Sequence, residues 1–163
     1  KGSTFTIKVS FDHAESPKEI TETTNQNDSF SQEQTFNSLD LHLLVAEDNK
    51  VNQLVIKQIL LKMGCTSDIV NNGNEAIEQL NESHIAILMD CMMPQKDGYQ
   101  ATKEIRLLDS SFKNIPIIAL TANSLEGDKE KCLAAGMNDY LSKPIEFEKL
   151  YSKLLTLKTQ KES

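Results

Sequence analysis

The chain has little to build a disulfide scaffold, a membrane span or a nucleic-acid face from. Its only cysteines are Cys65, Cys91 and Cys132, an odd number at wide spacing. That excludes a disulfide framework and the close pairs of a structural zinc site, and it fits a reducing compartment. No apolar run approaches the roughly 18 residues that cross a bilayer. Basic residues are in the minority, 17 Lys+Arg against 24 Asp+Glu, for a formal charge of −7. Phosphate backbones are bound through basic surfaces, so direct nucleic-acid binding is not expected. No glycine-rich phosphate loop follows an apolar segment. Apolar residues make up 39% of the chain, low enough that part of it should lie outside any core. A cytoplasmic setting without membrane contact is expected. At roughly 100–200 residues per domain, the length allows one domain plus an appendage.

Three zones separate by texture. In residues 1–11, Phe5, Ile7, Val9 and Phe11 alternate with Thr4, Thr6, Lys8 and Ser10, the period of a strand with one apolar face. A lone strand cannot bury that face. Residues 12–38 are polar and acidic, with Ile20, Phe30 and Phe36 as their large apolars, and read as a flexible linker. Residues 39–158 change character. Strands are expected at Leu41–Ala46, Thr66–Val70, Ile85–Asp90, Ile115–Leu120 and Asp139–Ser142. Helices are expected from the acidic motif to Met63, then at Asn74–Asn81, Gly98–Leu108, Leu125–Ala135 and Glu146–Leu157. Residues 159–163 read as a tail. Such alternation implies an α/β domain, a parallel sheet covered on both faces.

In such sheets ligands bind outside the carboxyl ends of the strands. Glu47 and Asp48 follow the first strand, Asp90 ends the third, Thr121 follows the fourth, and Lys143 and Pro144 follow the fifth. Carboxylates gathered in one place repel and raise one another's pKa, so they serve stability poorly. A hard divalent cation relieves the repulsion, and an all-oxygen donor set points to Mg2+ or Mn2+. Asp48 is also placed to cap the first helix. Cys91 should point to the face opposite Asp90, as a small buried apolar residue. His42 and His84 lack the helical His-Glu context of a phosphorylated histidine, and Gly73 and Gly98 read as turn residues.

The stretches LLVAEDNKVNQLV (43–55), ILMDCMMPQKDGYQAT (87–102) and IIALTANSLEGDKEKCLAAGMNDYLSKPI (117–145) resemble the receiver domains of two-component signalling, found in response regulators and hybrid histidine kinases. The likeness covers residues 41–157 and implies a flavodoxin-like (βα)5 doubly wound fold with strand order 2-1-3-4-5. It implies that Asp90 accepts the phosphoryl group, with Lys143 and Thr121 beside it. Asp48, Asp90, Glu47 (through water) and the Met92 carbonyl would hold the metal. It implies a cis Lys143–Pro144 bond, and a switch in which Tyr140 turns as Thr121 moves. Glu47 stands where many receivers carry aspartate, and the resemblance implies that Met92 and Asn123 flank the path of attacking water.

The first helix presents a second stripe, Val51, Leu54, Gln58 and Leu61, flanked by Lys50, Lys57 and Lys62. It faces away from a sheet side of Asn52, Val55, Ile56, Ile59 and Met63. The resemblance implies that a histidine phosphotransfer protein docks there. The sequence from Gly2 to Phe5, with the alternation after it, resembles the final strand of a histidine-kinase ATP-binding domain. The expected parent is therefore a hybrid sensor histidine kinase, soluble or membrane-anchored, whose kinase core would be a partner of this segment. The chain lacks that core and would catalyse only its own aspartyl phosphorylation and dephosphorylation. The alternatives are a free-standing single-domain response regulator and a non-phosphorylated interaction module.

Overall fold

The computed structural model of the chain describes residues 36–122 and 126–162. The expected strand at 1–11, most of the expected linker and Asn123 lie outside the described residues. Five strands form one parallel sheet in the order β2-β1-β3-β4-β5. They are β1 (His42–Ala46), β2 (Thr66–Val70), β3 (Ala86–Asp90), β4 (Ile117–Thr121) and β5 (Asp139–Ser142). Between and after them run α1 (Lys50–Lys62), α2 (Gly73–Gln79), α3 (Gly98–Leu107), α4 (Glu126–Ala134) and α5 (Phe147–Glu162). A short 3-10 helix at Ser111–Asn114, not foreseen, precedes β4. Among the described residues no helix is long and apolar enough to cross a membrane.

The central strands β1, β3 and β4 supply both cores through the two-residue alternation of their side chains. Leu43, Val45, Leu88, Ile118 and Leu120 pack with Ile56, Leu60, Leu150 and Leu154 of α1 and α5. Leu44, Ala46, Ile87, Met89, Ile117 and Ala119 pack with Ala76, Ala101, Ile105 and Cys132 of α2, α3 and α4. Full burial of a side chain such as Leu60 contributes about 1.5–3 kcal/mol. This double cover makes the central strands continuously apolar, so their polar residues collect at the ends.

Several boundaries differ from expectation. The cap of α1 is Asn49, not Asp48: its side chain accepts from the Val51 and Asn52 amides at 2.9 and 3.4 Å. The buried residues of α1 are Gln53, Ile56 and Leu60, with Ile59 half-buried beside them and Met63 at the cap, whereas Val55, expected inward, is 49% exposed. Gly64 ends the helix at φ +70, and a Cβ there would lie 1.9 Å from Ser38 Oγ. Helix α5 runs on to Glu162, so 159–162 is helix rather than tail.

The described end of the expected linker, residues 36–38, packs on the domain. Phe36 meets the rings of Phe147 and Tyr151 edge-on at 4.7 and 4.6 Å. The Tyr151 hydroxyl donates to the Asn37 carbonyl at 3.0 Å, and the Leu39 amide to the Met63 carbonyl at 2.9 Å.

Candidate functional site

Four strand ends deliver the site. The parallel register sets Ala46 beside Met89, Asp90 beside Leu120, and Thr121 beside Ser142. Residues just beyond those positions therefore meet at one edge. Glu47, Asp90 and Thr121 are buried, and Asp48 is exposed at the rim. Carboxylate oxygens of Glu47, Asp48 and Asp90 all lie within 4.8 Å of one another. Lys143 reaches back from β5, and its Nζ donates to Glu47 Oε2 and to Asp90 Oδ2, each at 2.6 Å. The bond before Pro144 is cis, as expected.

The two buried carboxylates are held from behind. Glu47 Oε1 accepts from the Asn49 amide at 3.1 Å and from Asn52 Nδ2 at 3.0 Å. Gln53 Nε2 donates to the Glu47 carbonyl and, at 3.1 Å, to Asn71 Oδ1. Sequence reasoning missed Asn49 and Gln53. They stand in the same motif as Glu47, but their role shows only once α1 turns them back toward β1. Asp90 Oδ1 accepts from the Met92 amide at 3.1 Å, so the chain turns directly over the carboxylate. Gly98 sits under that turn: a Cβ there would lie 2.2 Å from the Asp90 carbonyl oxygen. Gly73 and Gly98, expected in turns, are the first residues of α2 and α3.

The electrostatics follow from burial. Burial pushes the Asp90 carboxyl above its ordinary range, against the pull of Lys143 and the Met92 amide. Burial alone would lower the Lys143 ammonium, but its bonds to Asp90 and Glu47 outweigh this and hold it above the usual lysine value. Cys91 is buried, with its thiol 3.7 Å from that of Cys132, and burial pushes it up to about 12, so it offers no nucleophile. Three carboxylates against one ammonium leave an excess of negative charge in an all-oxygen donor set. These residues fit a hard divalent cation such as Mg2+.

The remaining expected residues surround this centre. Met92 is exposed beside it. Tyr140 is half-buried against the second core, with the Lys129 and Lys153 ammonium groups 5.6 and 5.9 Å from its ring centre. Val51, Leu54 and Leu61 are 67%, 64% and 51% exposed, and Gln58 is exposed with them, so the outer stripe of α1 faces solvent. Val55 joins that stripe.

The comparisons with known proteins agree with this geometry. The response regulator receiver domain family matches residues 43–155. The receiver domain of a sensor histidine kinase from Pseudomonas aeruginosa PAO1 is similar in structure, with a TM-score of 0.68 and 45% identity over 74% of this chain and 98% of that one. Its crystal structure has a magnesium ion coordinated in the active-site cleft. The receiver domain of a Saccharomyces cerevisiae response regulator, co-crystallised with a histidine phosphotransfer signalling protein, matches with a TM-score of 0.68 and 30% identity over 75% of this chain and 91% of that one. Hybrid signal transduction histidine kinase B of Dictyostelium discoideum is 43% identical over 114 residues, 63% of this chain and 6% of that protein. Probable histidine kinase 1 of Oryza sativa subsp. indica is 40% identical over 139 residues, 66% of this chain and 14% of that protein. The match thus spans a small part of each of these curated relatives. The five-stranded order, the acidic edge and the family match lead to one assignment: the chain belongs to the response regulator receiver domain family, through residues 43–155.

Proposed function

We propose that this receiver takes a phosphoryl group from a phosphohistidine onto Asp90 and passes it to a histidine phosphotransfer protein, as a cytoplasmic part of a hybrid histidine kinase. One observation carries the reading: Lys143 joins Glu47 and Asp90 at 2.6 Å each, on the edge that also holds Asp48. An Asp90 carboxylate oxygen attacks phosphorus in line. The new O–P bond forms as the N–P bond of the phosphohistidine breaks, and the imidazole leaves with the electron pair. Lys143 is already within reach of Asp90 Oδ2 and would follow the charge onto a phosphoryl oxygen. Thr121, at the end of the adjacent strand, would donate its hydroxyl to another.

Asp48 and Asp90 would hold Mg2+ or Mn2+ directly, with the Met92 carbonyl as a further ligand and Glu47 acting through water. A cation held there would neutralise charge on the transferring group. As Thr121 moves toward the phosphoryl group, Tyr140 would turn inward and report the phosphorylated state. The exposed stripe of Val51, Leu54, Gln58 and Leu61 would receive the phosphotransfer protein, because it begins next to the acidic edge. The kinase core of the same parent chain would be the donor, with residues 1–11 as the end of its ATP-binding domain.

Intact mass after incubation with acetyl phosphate and Mg2+ tests the chemistry. One phosphoryl group should appear, and it should be absent in EDTA and in Asp90→Asn. Labelling of that variant would overturn the assignment of Asp90. Leu54→Asp should lower transfer to a phosphotransfer protein at least about tenfold, as loss of an interface anchor does. Its labelling by acetyl phosphate should stay near normal.

A further inference from the structure

The opposite edge of the sheet carries a cluster that the phosphoryl chemistry does not use. His42 opens β1, Asp68 lies in β2 and His84 precedes β3, so three adjacent strands bring them together. Both imidazoles aim Nε2 at one carboxylate oxygen: Asp68 Oδ2 lies 3.2 Å from that of His42 and 3.1 Å from that of His84. The rings stack with centroids 5.1 Å apart. The His84 side chain is fully buried, while that of Asp68 is 50% exposed, so the cluster has a closed back and an open front.

We propose that His42, Asp68 and His84 form a second metal site, for a borderline divalent cation of the zinc class, with water completing its shell. The spacing supports it. Donors about 2.0–2.1 Å from a tetrahedral ion lie roughly 3.3 Å from one another. Both nitrogen–oxygen separations are close to that value already. The donor types support it too: two imidazoles and a carboxylate suit zinc, whereas the all-oxygen set at the other edge suits magnesium.

The surroundings prepare the ligands unequally. His42 Nδ1 lies 2.7 Å from Thr66 Oγ1. Metal binding would move the ring proton from Nε2 to Nδ1, where that hydroxyl can accept it, and free the Nε2 lone pair for the metal. Burial, against the pull of Asp68, holds His84 below the usual histidine value and so in the neutral form that ligates. His84 must rearrange more. Its Nδ1 accepts from the Asn81 amide at 3.2 Å, which keeps its proton on Nε2. Metal binding moves that proton to Nδ1 and gives up one long hydrogen bond. Asn81 is exposed, so water can take over its amide. The five residues of β1 separate this cluster from the acidic edge by roughly 13 Å, enough for both sites to load together.

The test uses the full chain, stripped of metal by chelator and titrated with Zn2+ in excess Mg2+. One Zn2+ should bind, and binding should persist in Asp90→Asn. Co2+ in its place should give the intense visible band of a tetrahedral ion. Ring resonances of His42 and His84 should shift on Zn2+ addition while those of His13 stay still. Asp68→Asn and His42→Gln should each weaken Zn2+ at least about tenfold, and His13→Gln should not. Both positions are partly exposed, and circular dichroism checks that the variants are folded. Absence of Zn2+ binding in the native chain, unchanged affinity in both variants, or shifts confined to His13 would each overturn the proposal.

Discussion

At the carboxyl edge of the sheet two buried carboxylates share one ammonium beside a third carboxylate, while at the amino edge two imidazoles share one carboxylate. The same parallel register builds both clusters, and they differ in what is left over. The amino edge closes its own hydrogen bonds: His42 has Thr66, His84 has Asn81, and Asp68 takes both rings. The carboxyl edge cannot balance itself. Glu47 and Asp90 are buried, their one ammonium partner among the described residues is Lys143, and Asp48 adds a further negative charge at the rim. An edge with unbalanced charge is unstable in isolation and ready for a cation or a phosphoryl group. An edge whose polar groups are all paired costs little to keep.

The contrast can be broken most severely at Lys143. Lys143→Met leaves two buried carboxylates facing each other, and should cost about 3–5 kcal/mol of unfolding free energy in urea titrations. Millimolar Mg2+ should restore part of it. Gly98→Ala comes next. Its Cβ would need the space of the Asp90 carbonyl, so overpacking should cost about 1–3 kcal/mol, with labelling by acetyl phosphate falling in parallel.

A smaller effect of opposite sign is expected at Asp90. Because the folded-state pKa lies above the ordinary 3.8, the charged carboxylate destabilises the fold at neutral pH, and that cost disappears below 3.8. Asp90→Asn should therefore be more stable than the native chain at pH 7, by about 0.5–2 kcal/mol in the absence of metal. The gap should shrink as pH falls through the Asp90 pKa, which denaturant titrations at several pH values would check. The smallest effect belongs to the other edge. Asp68→Asn keeps an oxygen acceptor at a half-exposed position and should change metal-free stability by less than about 1 kcal/mol. A loss as large as that at Lys143 would erase the distinction between the edges.

The acidic edge is legible in the sequence because Glu47, Asp48, Asp90, Thr121 and Lys143 each stand at or just past the end of an expected strand. The order of the strands follows from family likeness. Other features depend on contacts that no local pattern encodes. Asp48 and Asn49 are both capping side chains, and only the hydrogen bonds select Asn49. Gln53 faces inward because its amide serves the Glu47 carbonyl and Asn71, so a count of apolar residues places Val55 there instead. Helix α5 outlasts its apolar pattern because Lys158, Gln160, Lys161 and Glu162 are good helix formers that need no core. Phe36 looks like a linker residue until Phe147 and Tyr151 come back beneath it. His42 and His84 mean little separately, and Asp68 becomes their partner only through the β2-β1-β3 register.

The thiols have a practical consequence. Cys65, Cys91 and Cys132 are all buried, and burial raises Cys65 above its ordinary value of 9.0 as well as Cys91 to about 12. A maleimide or iodoacetamide attacks the thiolate, which these two side chains hardly populate at neutral pH and which solvent reaches at none of the three. A single cysteine introduced at the exposed Gln58 would therefore take a fluorophore or spin label with little background. The native chain can serve as its own labelling host, with the probe on the face of α1 where a partner is expected to arrive.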